Sequence, residues 1–177
     1  MPCRGFTLIE LLIVVLIITI AAVVAVPHLP AGNIDKLNLA AEEIANAMRF
    51  ARTESIRLGS PHGFRLESGQ KRIRVFRGDT GASPMGLVYD QYQPLSKNLY
   101  DIDLKTHASA SADLLSDTAI FRGTCNDPEN AYFDASGTPW CANPENILLE
   151  NLMVKLVMGP HMRVVTLQGI TGRVTIQ

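Results

Sequence analysis

Residues 6–26 read FTLIELLIVVLIITIAAVVAV, a run of 21 residues in which Glu10 is the sole charge. At 1.5 Å per residue a helix of that length just crosses a hydrocarbon core of roughly 30 Å. The five residues before it, MPCRG, carry Arg4, so the basic side stays in the cytoplasm and the rest of the chain is sent outward. A cleaved secretory signal is the competing reading, since Ala21, Ala22 and Ala25 offer small residues for a peptidase. Its apolar region, however, normally runs only about 7 to 15 residues. A buried core helix fits less well, because core helices seldom run so far without a polar face.

Outward from this run the composition is ordinary. The 177 residues are 47% hydrophobic and 19% charged, with a formal charge of −1, which excludes a disordered chain and a uniformly basic nucleic-acid binder. One domain accounts for that length. Pro27, Pro30 and Gly32 disturb the turn after the apolar run, and the helix either ends at Val26 or resumes beyond them. Leu37, Ile44, Met48, Ala51 and Leu58 recur at helical spacing, with Gly59 and Pro61 as a stop, so the spacing predicts a helix through residue 58.

Beyond Gly59 the period changes to two. GFRLES and KRIRVFRG flank Ser68-Gly69-Gln70 as a hairpin, and GLVYDQY, LYDIDL, TAIFRG, AYFD, NLMVKLVM, HMRVVTL and GRVTIQ follow as short strands. Residues 105–117, small and polar, read as a loop. The pattern predicts an α+β fold in which a long N-terminal helix, membrane-spanning in its first half, packs on an antiparallel β-sheet head.

Gly5, Phe6, Thr7, Leu8, Ile9 and Glu10 resemble the class III signal of type IV pilins and type II secretion pseudopilins. The resemblance implies that prepilin peptidase cuts after Gly5 and that the new N-terminal Phe6 is N-methylated. The resulting amine lies one helical turn from Glu10, or within its reach from a neighbouring subunit, and neutralises a carboxylate that is costly in the membrane. In pilins a proline at the place of Pro27 is frequent, and the adjoining stretch can melt in the filament. Three more segments, LAAEEIANAMRFARTESIRLGSPHGF, AYFDASGTP and the terminal TGRVTI, are similar to the GspH/FimT family of minor pilins and pseudopilins. That family implies the type IV pilin-like fold, other pilins or pseudopilins as partners, and anchorage in a bacterial inner membrane with a periplasmic head. Pro27 leans the reading toward a type IV pilus minor pilin, with a type II secretion pseudopilin as the alternative. Residues 1–5 are then the leader, 6–26 the assembly helix, 27–58 its continuation, and 59–177 the head.

Cleavage removes Cys3, and Cys125 and Cys141 remain to form a disulfide in an oxidising periplasm, worth about 3 kcal/mol in the chain-entropy model. No CxxC spacing, HExxH or GxSxG is present, so neither enzyme chemistry, a metal nor a cofactor is expected. Charge alternates along the chain: residues 49–77 sum to +6, 78–150 to −8 and 151–177 to +3. If Lys71, Arg72 and Arg74 joined the tail they would make a basic surface for DNA phosphates. The strand alternation gives an equally good account, with Arg72 and Arg74 on the wet face and Ile73 and Val75 in the core. DNA-binding FimT-type proteins carry a C-terminal Gly-Arg-any-Arg motif. Here Gly172, Arg173 and Val174 are followed by Thr175, a neutral hydroxyl, which leaves DNA as a weak partner.

Overall fold

The computed structural model describes residues 8–25, 32–67, 69, 71–82, 85–104, 113–122, 130–142 and 147–177, with backbone alone at 21–25 and 113–122. The chain forms two compact units, Met1–Gly32 and Asn33–Gln177.

The first unit is helix α1, Leu8–Ala25. It has no polar face, and its large aliphatic side chains from Leu8 to Ile20 all stand exposed. Thr19, the second polar residue of α1 after Glu10, folds its hydroxyl back to donate to the Leu16 carbonyl at 2.8 Å, so it adds no unmet polarity. Among the described residues no helix is long and apolar enough to cross a membrane. For α1 the limit is length, since 18 residues make about 27 Å against a core of about 30 Å. The 21-residue apolar run continues past both ends of α1. Pro27, with His28 and Pro30, lies outside the described residues.

The second unit is built on α2, Asn33–Leu58. Asp35 in its first turn and Arg57 in its last suit the helix dipole. Gly59, at φ 62°, ends it in the left-handed conformation that glycine adopts without strain, and Pro61 follows. The buried residues Leu37, Ala40, Ala41, Ile44, Ala45, Ala47, Met48, Ala51 and Ser55 spread over roughly 160° of the helix at 100° per residue. That arc is wider than one face requires, and the reason is two sheets. Leu58, expected in the core, is instead exposed, because the helix terminates there; Ser55 closes the buried face, its hydroxyl donating to the Arg52 carbonyl at 2.7 Å.

The strands are antiparallel throughout but divide between two sheets, where the alternation suggested one. β1 (His62–Glu67) and β2 (Arg72–Asp79) form the expected hairpin, in register from His62↔Arg77 to Glu67↔Arg72. β3 (Gly86–Val88) and β4 (Asp101–Asp103) both add to the free edge of β2, at Arg77–Asp79 and Arg72–Arg74 respectively. β5 is Asp113–Arg122; β6 (Asn130–Phe133) pairs with the other edge of β1 and β7 (Pro139–Cys141) with β6. β8 (Asn151–Met158), β9 (His161–Gln168) and β10 (Val174–Ile176) complete the second sheet, ordered β10-β9-β8-β5. Phe64, Leu66, Ile73, Val75, Ala131 and Phe133 from the first sheet meet α2 together with Leu152, Val154, Leu156, Val165 and Leu167 from the second. Five fully buried alanines on α2 let both sheets approach the helix closely.

Two local expectations change. Residues 113–117 belong to β5 rather than a loop, and residues 105–112 lie outside the described ones. A register shift between Leu114 and Ala119 breaks the side-chain alternation that would have announced the strand. β7 was not anticipated either: three residues starting with proline carry no period, and proline is tolerated there because the strand lies at the sheet edge.

Candidate functional site

The residues expected to carry assembly lie on the first unit. Glu10 sits in the first turn of α1, where the positive end of the helix dipole favours a carboxylate. Gly5 and Phe6 lie outside the described residues, as does Cys125. Cys141 is fully buried and disulfide-bonded.

On the head, the structure brings together the three segments that resembled one family. Arg52 of α2 reaches across to the β6–β7 turn, where its Nε donates to the Gly137 carbonyl at 3.1 Å. Gly137 has φ 80° and Gly172, between β9 and β10, has φ 62°, so both occupy backbone conformations natural to glycine. A Cβ on Gly172 would stand 2.6 Å from the Gly137 carbonyl oxygen and 2.7 Å from Arg52 Nε. Helix, turn and tail therefore close on one guanidinium with no space for another methyl group.

Asp134 holds the β6–β7 turn in the shape this contact requires. Its Oδ1 accepts from the Ser136 amide at 2.8 Å, the Ser136 hydroxyl at 2.6 Å and the Thr138 amide at 3.0 Å, while Oδ2 accepts from Trp140 Nε1 at 2.9 Å. Burial alone would push this carboxyl up. The bonds from Ser136, Trp140 and Thr138 outweigh it and hold the group below the ordinary carboxylate range.

Beside the clasp lies a surface cleft of about 540 Å³ lined by Arg49, Arg52, Thr53, Thr171, Gly172, Arg173 and Val174. Among the described residues it has three guanidiniums and no lining carboxylate. Arg49 also makes a loose exposed pair with Glu42 at 3.5 Å. The tail arginine thus finds its basic company on α2 and not on the first hairpin.

The hairpin arginines are engaged elsewhere. Arg72 makes a two-pronged ion pair with Asp101, and Arg74 pairs with Glu67 while its guanidinium lies 4.1 Å over the Tyr89 ring. The hydrogen bond to Asp101 moves the Arg72 pKa further up, so its charge is permanent. Strand β4 lays Asp103 opposite Arg72 and Asp101 opposite Arg74 in the ladder. Ile73 and Val75 enter the core as the alternation predicts. The proposed union of Lys71, Arg72 and Arg74 with the tail is not what the fold builds, because part of the acidic middle of the chain pairs with the basic hairpin. Lys71 remains at the hairpin tip with φ 55°, its carbonyl accepting from the Leu104 amide at 2.9 Å.

On the outer side of α2, Phe50 and Tyr100 stack with ring centroids 4.9 Å apart. Burial, and then the charge of Glu43, pushes the Tyr100 phenol up to about 12. Among the described residues no three His, Cys, Asp or Glu side chains gather as a metal site.

Residues 1–26 match the prokaryotic N-terminal methylation motif. Over 86 residues the chain is 36% identical to the type II secretion system protein H of Xanthomonas campestris, a stretch that takes in 48% of this chain and half the length of that relative. The minor pseudopilin EpsH from the type 2 secretion system of Vibrio cholerae shares the fold, with a TM-score of 0.52 at 14% identity over 81% of this chain and 97% of that one. The type IV minor pilin FimU of Pseudomonas aeruginosa superposes with a TM-score of 0.47 at 16% identity over 80% of this chain and 92% of that one. The chain is thus similar to pilin-like proteins in its N-terminal motif and to a secretion-system protein H over half that relative's length, and its α+β fold, a helix followed by an antiparallel head, is shared with a minor pseudopilin.

Proposed function

We propose that this chain is a non-enzymatic structural subunit, a minor pseudopilin-like protein of a type II secretion machine, held in the bacterial inner membrane before assembly with its head in the periplasm. The single observation that carries the reading is the methylation motif joined to an apolar helix, whose aliphatic side chains from Leu8 to Ile20 stand exposed. Such a surface is stable only in lipid or against other apolar helices. The relative named for secretion favours that machine over a pilus; Pro27 keeps the type IV pilus minor pilin as the second reading.

In this scheme prepilin peptidase cuts after Gly5, Phe6 is methylated, and its amine neutralises Glu10 when the helix packs among other pilins or pseudopilins. Cys125 is the partner of Cys141. Mass spectrometry of the mature protein tests the scheme: the expected result is an N-methylated Phe6, and an N-terminus at an alanine or valine beyond residue 20 overturns it. Peptide mapping without reductant should recover Cys125 linked to Cys141. Glu10→Ala should leave processing intact and abolish incorporation into filaments. Gene deletion distinguishes the machines, since loss of enzyme export supports the pseudopilin and loss of twitching the pilus. Weak DNA binding, if present, would depend on Gly172 and Arg173 with the helix arginines; retardation of DNA by the head at low salt that weakens in Arg173→Ala would establish it.

A further inference from the structure

The turn between β9 and β10 holds a large aliphatic side chain in a conformation that chain sterics disfavour. Ile170 has φ 60° and is 75% exposed. The Thr171 amide donates to the Gly169 carbonyl across it, an i→i+2 bond about a positive-φ residue, which is the rarer and more strained form of γ-turn. A β-branched residue there is an outlier even among positive-φ residues. Glycine or asparagine would relieve the turn at once, and an exposed isoleucine returns nothing to the head's own core.

The surroundings keep this turn from relaxing. The Gly169 amide donates to the Glu150 carbonyl at 2.7 Å and the Gly172 amide to the Gln168 carbonyl at 3.1 Å. Gly169 lies so close to the Leu149 and Glu150 carbonyls that no Cβ fits, while Gly172 is pressed against Arg52 and Gly137. Both ends of the turn are clamped and its apolar tip is presented. Strain of this kind persists where surrounding structure fixes it, and such places cluster at functional contacts.

The two sides of the tip differ in chemistry. On one, Leu148, itself 46% exposed, and Leu149 line a cleft of about 510 Å³ with Ile170, which Glu150, Asn151 and Gln168 also line. On the other lies the cleft of Arg49, Arg52 and Arg173, which no carboxylate lines among the described residues. We infer that the Gly169–Gly172 turn is a preorganised knob that docks on a neighbouring pilin-like subunit, into an apolar socket edged by carboxylates. An aliphatic anchor with arginines beside it is the composition that concentrates binding energy at protein interfaces, and a rigid knob loses little entropy on docking. DNA would use the arginines but has no role for Ile170.

This inference rests on the subunit reading above, and its test keeps the two apart. The full-length chain, expressed in its own host, carries a benzophenone amino acid in place of Ile170, and a control carries it at Leu95, which is 98% exposed. After irradiation, adducts are mapped by peptide mass spectrometry. The expected adduct from position 170 joins a pilin-like subunit at an apolar peptide flanked by Asp or Glu. In the chain without the crosslinker, Ile170→Asn should keep or raise the thermal midpoint of the head while lowering co-purification of the subunit identified by the adduct by roughly tenfold; Ile170→Leu should keep it near the parent level. A nuclease-sensitive adduct, an adduct with any other class of protein, or a yield no greater than at Leu95 overturns the docking role. If Phe6 is methylated and position 170 yields nothing, the knob alone is wrong; if Phe6 is not processed, the subunit reading fails first.

Discussion

The chain's two helices use aliphatic residues in opposite ways. In α1 every large side chain from Leu8 to Ile20 is exposed, whereas in α2 Leu37, Ile44 and Met48 are wholly hidden behind a row of alanines. The apolar surface of α1 runs all the way round, and no single sheet or helix could cover it. That of α2 covers an arc, and two sheets of the same chain fill that arc. One helix is covered by its own head, and under the proposed function the other is covered by lipid or by other subunits, so stability and assembly should respond to different residues.

The sharpest way to break this comparison is a matched truncation. Ile44→Ala removes a fully buried side chain and should cost about 3 kcal/mol, with a cavity contribution. Ile13→Ala on α1 should move the same unfolding transition by less than about 0.5 kcal/mol. Denaturant unfolding of the detergent-held chain reads both, and similar losses for the two would show that α1 is part of the folded core.

The next effect probes how the head supports its own loops. Asp134→Ala strips the acceptors from Ser136, Thr138 and Trp140 and should destabilise the head by about 2 kcal/mol. The depressed carboxyl also sets a sign: its stabilisation is fully present above the unfolded-state value near 4 and is lost as pH falls through the lower folded-state value. Stability curves measured below pH 4 should therefore be flatter in Asp134→Ala than in the parent chain. Burial of Tyr100 acts at the other extreme, its contribution present below about pH 10 and lost as pH rises through about 12.

Gly172→Ala should cost somewhat less, about 1–2 kcal/mol, because φ 62° and the nearby Gly137 carbonyl both resist a Cβ. Thermal unfolding checks it, and Arg52→Ala in the same background should recover part of the loss by vacating space. The smallest effect is expected at Arg77→Ala, which breaks the exposed pair with Asp90 at 3.1 Å and should change stability by no more than about 0.5 kcal/mol.

How much could be read in advance follows the same division. The span of α1, the hairpin of β1 and β2, the stop at Gly59, and the inward set Leu37, Ile44, Met48, Ile73 and Val75 were legible, since each is written in neighbouring residues as a period or a turn. The first half of β5 was hidden by its bulge, β7 by its brevity, and the exposure of Leu58 by the end of the helix, which periodicity ignores. Arg72 and Arg74 were correctly placed opposite Ile73 and Val75. Their partner Asp101 could not be named, because it lies 29 residues from Arg72.

By itself the sequence determined that one helix is apolar all round, that a second must pack on strands, and that residues 1–26 carry a methylation motif. Those properties depend on local hydropathy, backbone propensity and a short contiguous motif. Only the tertiary structure decided that the strands divide into two sheets, that Arg72 of the hairpin pairs with Asp101, and that Arg52, Gly137 and Gly172 meet. It alone exposes the strained Ile170 beside Arg173. These are pairings between residues far apart along the chain, fixed by which surfaces can be packed without voids or unmet charge, and no local pattern encodes them.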